Sequence, residues 1–127
     1  MMETDQRILL VGNQSERINR LSCVFEFLGE QVELITVDKL ELRLKNTRFR
    51  VLIISADMES KALLQSLAVT LPWQPILLLG DIEDIVASNV LGHIEEPLNY
   101  PQLTELLHFC QVFGQAKQPS VPTSVNQ

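Results

Sequence analysis

Arg7-Ile8-Leu9-Leu10-Val11-Gly12-Asn13-Gln14-Ser15-Glu16 joins a short apolar run to a glycine and then to a polar cap. A run of this length suits a fully buried parallel strand better than a helix. Asn13 to Glu16 has the form of a capping box, a short polar cap followed three residues later by Glu. Ile18, Leu21, Phe25 and Leu28 then repeat at helical spacing, and Gly29 follows as a stop. The stretch predicts strand, turn, helix, stop.

The same alternation continues outward from it. Val32 to Val37 is a second strand, and Asp38 can cap a short helix carrying Leu40 and Leu44. Val51 to Ser55 is a third, wholly apolar strand. Ser60 can cap a helix with Leu63, Leu64, Leu67 and Leu71 on one face, ended by Pro72 and Pro75. Ile76 to Leu79 is a fourth strand. Residues 82–91 read as a weaker helix with Ile82, Ile85 and Val86, and a short fifth strand lies near His93-Ile94. Pro101 suits the first turn of a last helix whose inner face is Leu103, Leu106, Leu107, Cys110 and Phe113. Apolar strands alternating with helices predict an α/β fold with a parallel sheet covered on both faces. The flavodoxin-like rule makes this a doubly wound (βα)5 domain with sheet order 2-1-3-4-5. Residues 1–113 form that domain, and residues 114–127, polar with two prolines, read as a flexible linker.

Composition narrows the function classes. The chain has 127 residues, 46% hydrophobic and 20% charged, which suits one globular domain. Its net charge of −6 repels phosphate backbones and argues against direct nucleic-acid binding. The longest apolar runs, Val51 to Ile54 and Ile76 to Leu79, fall far short of the ~20 residues that span a bilayer. The N-terminus is acidic and lacks signal-peptide anatomy. Cys23 and Cys110 alone make neither a disulfide framework nor a zinc site. These readings predict a cytoplasmic domain with no membrane partner, no metal and no cofactor.

In an open α/β sheet, ligands sit beyond the carboxyl ends of the strands. Function is therefore sought at Gly12-Asn13, Ser55-Ala56-Asp57, Gly80-Asp81 and Glu95-Glu96-Pro97. The segment Glu96-Pro97-Leu98-Asn99-Tyr100-Pro101-Gln102-Leu103 resembles the end of a two-component receiver domain, which carries a Lys-Pro pair there. The resemblance implies five site positions: an acidic pair holding Mg²⁺, an acceptor Asp, a Thr or Ser, and a Lys. Metal and Lys would offset the charge that develops in phosphoryl transfer. This chain departs at every one. The acidic pair falls on Gly12 and Asn13. Met58 sets the acceptor place at Ser55, the Thr/Ser place is Gly80, and the Lys place is Glu96, a full charge reversal. The resemblance also implies a cis peptide bond before Pro97.

A narrower resemblance rests on Phe27-Leu28-Gly29-Glu30, Glu59-Ser60-Lys61, Glu96-Pro97, and Leu106-Leu107-His108 with Gln111-Val112. These residues resemble the N-terminal domain of FleQ/FlrA-type regulators of bacterial flagellar genes, over about residues 7–115. That family implies a receiver-like domain ahead of a sigma-54-type ATPase module and a helix-turn-helix module, neither of which lies within these residues. It also implies a regulatory, non-catalytic role, pairing into a homodimer, and contact with the protein's own ATPase module. The usual receiver contact surface would be residues 82–90, Ile94 and the outer face of 102–113. The resemblance does not say which face forms the dimer.

Two other functions stay open on the residues. Asp57 could act as a fallback acceptor in an atypical receiver, although it lacks the acidic pair and Lys that would assist it. A flavodoxin-like cofactor site would need a phosphate cradle at Gly12-Asn13-Gln14-Ser15, which Glu16 and the net charge oppose. Ser55 reads as a small polar strand end, His93 as a partly buried ring and His108 as a surface residue. Cys23 and Cys110 read as small core residues. Trp73, between two prolines, is either a lid over its helix or an interaction anchor.

Overall fold

The computed structural model describes residues 3–12, 16–55, 61–80 and 87–116, with side chains left out at 61–64 and 114–116. Five parallel strands are β1 (Glu3–Val11), β2 (Val32–Ile35), β3 (Thr47–Ser55), β4 (Ile76–Leu79) and β5 (Val90–Ile94). They lie in the order β2-β1-β3-β4-β5, the order read from the sequence. The helices are α1 (Glu16–Phe27), α2 (Leu40–Arg43) after a 3-10 turn at Val37–Lys39, α3 (Lys61–Thr70) and α4 (Tyr100–Ala116).

The alternation of side chains along the buried strands creates two cores, one on each sheet face. Leu9, Val11, Leu52, Ile54, Ile76 and Leu78 point to the face that holds Leu40, Leu44, Leu67 and Ala68 of the α2–α3 side. Ile8, Leu10, Val51, Ile53, Leu77 and Leu79 point to the face that holds Ile18, Leu21 and Phe25 of α1 and Leu103, Leu107 and Cys110 of α4. Continuous apolar strands are thus required by the doubly covered sheet.

Helix ends follow local chemistry. Gly29 has φ +83°, the left-handed conformation that glycine adopts without a Cβ penalty. Its N–H donates to the Glu26 carbonyl at 3.0 Å, and the Glu30 N–H donates to the Phe25 carbonyl at 2.9 Å. These two bonds make a Schellman stop to α1. At the start of α4, the Asn99 side chain accepts from the Gln102 N–H at 3.1 Å. Asn99 is therefore the N-cap, and Pro101 falls in a turn whose N–H groups lack helical partners anyway.

Several elements differ from the sequence reading. β1 starts at Glu3 and β3 at Thr47, because Glu3, Thr4 and Asp5 pair with Thr47, Arg48 and Phe49 beyond the apolar runs. A register shift separates Asp5 from Ile8 there, and the Asp5 carboxylate accepts from the Arg7 backbone N–H at 2.9 Å. β2 ends at Ile35 rather than Val37, since Val37 opens the 3-10 turn. Asp38 lies inside that turn and does not cap it; its carboxylate accepts from the Thr36 hydroxyl at 2.5 Å. The helix predicted over 82–91 does not extend through its end: residues 88–89 are a turn, and Val90 and Leu91 belong to β5. Val90 is drawn into the sheet by its pairing with Ile76. α4 runs to Ala116, through Gly114, so the helix passes residue 113, where the sequence reading ends the domain. Ser60, the rest of that predicted helix through Val86, and residues 117–127 lie outside the described residues.

Polar side chains brace the amino ends of the central strands. Gln74, 1% exposed, accepts from the Phe49 N–H at 2.9 Å and donates to the Phe49 and Pro75 carbonyls. Asn89 donates to the Leu71 and Gln74 carbonyls, each at 2.9 Å. These bonds help satisfy backbone groups at the buried amino ends of β3 and β4. Trp73 beside them is half-buried and lines a groove between α2 and α3 with Leu44, Leu67 and Leu71.

Candidate functional site

The register of the sheet brings the carboxyl ends of β1, β3, β4 and β5 into one row. Val11 pairs with Ile54, Ser55 with Leu79, and Leu79 with Ile94. Gly12, Ser55, Gly80 and Glu96 therefore lie at or just beyond the strand ends along that edge. Asn13, Asp57 and Asp81 lie outside the described residues.

Gly12 and Ser55 are in close contact. Ser55 is fully buried, and a Cβ placed on Gly12 would meet the Ser55 Cβ at 3.0 Å and the Ile18 Cδ1 at 3.5 Å. Gly12 also has φ +154°. The backbone at Gly12 thus lies close against β3, where an added Cβ would crowd Ser55. Gly80, φ +99°, donates its N–H to the Ile94 carbonyl at 2.9 Å and offers no side-chain hydroxyl.

Glu96 is engaged by α1. Arg20 donates through Nε to Oε2 at 2.5 Å and through a terminal nitrogen to Oε1 at 2.8 Å. This is a two-bond guanidinium–carboxylate fork, the strong form of the pair. Arg17 Nε stands 3.9 Å from Oε1, and Glu16 lies 3.6 Å from Arg20 on the other side. The hydrogen bonds from Arg20 hold the Glu96 carboxyl below its usual range, and Glu96 in turn raises the Arg20 guanidinium. The Glu96–Pro97 peptide is cis. Arg17, Gly80, Glu95 and Glu96 line a small cleft of about 200 Å³ between β4 and β5.

Among the described residues the donor set does not suit the Mg²⁺ of a receiver. A hard divalent cation needs several oxygen ligands, with one or two carboxylates among them. Gly12 and Gly80 present no side-chain oxygen, and both Glu96 oxygens already accept from Arg20. Among the described residues no three His, Cys, Asp or Glu side chains cluster to hold a metal.

The arginines that define the site were not read from the sequence. Arg17 and Arg20 belong to the helical pattern of α1, and nothing in their spacing points to Glu96, 76 residues beyond Arg20. Two other side chains differ from expectation. His93 is exposed, because the β5 alternation sends Ile94 inward and His93 outward. Cys23 is exposed on α1 between the buried Leu21 and Val24, whereas Cys110 is fully buried on the inner face of α4, where burial pushes its thiol up to about 12. His108 is exposed, as read.

The doubly covered parallel sheet of order 2-1-3-4-5 is the fold of a receiver-like regulatory domain. Residues 7–112 match the family described as flagellar regulatory protein FleQ, and the chain belongs to that family. Solved structures agree on the fold. A signal receiver domain of an HD domain-containing protein from Pseudomonas fluorescens Pf-5 is similar at TM-score 0.71 and 17% identity, covering 92% of this chain and 94% of that one. A CheY-like response regulator receiver domain protein from Methanospirillum hungatei JF-1 gives TM-score 0.67 and 20% identity, with 89% and 98% covered. The chemotaxis protein CheY4 of Vibrio cholerae gives 0.61 and 18%, with 87% and 99% covered. No curated protein sequence matches the chain. Among the described residues no helix is long and apolar enough to cross a membrane.

Proposed function

We propose that this domain regulates by contact and not by phosphoryl transfer: it pairs with a second copy and, in a longer flagellar-gene activator of the sigma-54-dependent type, acts on the ATPase module that follows. The observation that carries the reading is the Arg20–Glu96 fork. A receiver's Lys would meet an incoming phosphoryl group with positive charge, whereas Glu96 meets it with a carboxylate already committed to α1. Gly12 and Ser55 add neither a metal ligand nor an acceptor carboxylate. The domain has no need of a catalytic group for this role, and the acidic surface suits protein contact better than DNA contact.

The test is mass spectrometry of the chain after incubation with acetyl phosphate or phosphoramidate and Mg²⁺. The mass should stay unchanged. A stoichiometric phosphate adduct that disappears in Asp57→Ala would overturn the reading and make Asp57 the acceptor. Light scattering over a range of concentrations tests the pairing separately; a strict monomer would leave contact with the ATPase module as the whole of the function.

A further inference from the structure

We draw no further inference here: the strongest candidate, the apolar groove between α1 and the start of α4 with the exposed Phe27 and Tyr100 rings beside it, carries nothing, because nothing in the structure shows what covers it.

Discussion

At the scale of the residue, Gly12 and Glu96 depart from the receiver pattern for different reasons. Gly12 is a matter of space. Its missing Cβ allows β3 to bring Ser55 against β1, and its φ of +154° is one that L side chains rarely adopt. Gly12→Ala should therefore cost about 1–2 kcal/mol from strain and contact, lowering the melting temperature by roughly 3–8 °C; an unchanged melting curve would show that β1 and β3 yield freely there. Glu96 is a matter of charge. Its partners come from a helix far away in sequence, so its role was legible only as a reversal and not as a tether. The positions themselves were legible, because strand ends can be counted from apolar runs, whereas ion-pair partners require the fold.

At the scale of the element, polar groups decide what apolar patterning cannot. The inner strand β4 was found to the residue, since Ile76 to Leu79 is apolar throughout and bounded by Pro75 and Gly80. β1 and β3 ran longer than their apolar cores because their outer ends are polar and held by charge. Asp5, Arg7, Glu33 and Arg43 form one network there, with Arg43 also lying 4.7 Å over the Phe49 ring. Hydrogen bonding from Arg7 lowers the Asp5 carboxyl to about 2. A depressed carboxyl favours the folded state above its unfolded value of about 3.9, and that contribution is lost as pH falls toward 2. Stability should thus decline between about pH 4 and pH 2, and Asp5→Asn should flatten that part of the curve; an identical decline in the variant would assign the acid sensitivity to other carboxyls. Gln74 makes the complementary case. Gln74→Ala removes partners from the Phe49 N–H and carbonyl inside the fold, at a cost of about 2–4 kcal/mol, measurable as a lower urea midpoint with an unchanged slope. Its sequence signal was masked, because a glutamine beside Trp73 and Pro75 reads as part of a surface turn.

At the scale of the whole molecule, each copy carries a net charge of −6, which opposes association. Salt screens that repulsion over about 10 Å at 0.1 M and at the same time weakens exposed ion pairs. Burial of apolar surface in the proposed pairing would be insensitive to both. The dimer dissociation constant should then move less than about tenfold between 50 and 500 mM salt, as sedimentation would report. A much larger weakening would mean that ion pairs dominate the contact. The overall fold was readable in advance because a doubly covered parallel sheet forces apolar strands and one-sided helices. The exposure of Phe27 was not, because an exposed phenylalanine on a helix looks the same in sequence as a buried one.

The fork between Arg20 and Glu96 also bears on how such a domain could change over generations. Lysine at 96 would stand against Arg17 and Arg20, repelling both before any phosphate arrived. An aspartate at 55 would be buried at the end of β3, facing a glutamate in the place where a neutralising lysine is needed. A carboxylate at 12 would have to displace Ser55. Each single step toward phosphotransfer would therefore be penalised unless the others were taken with it, like a ratchet whose pawl is one salt-bridged glutamate.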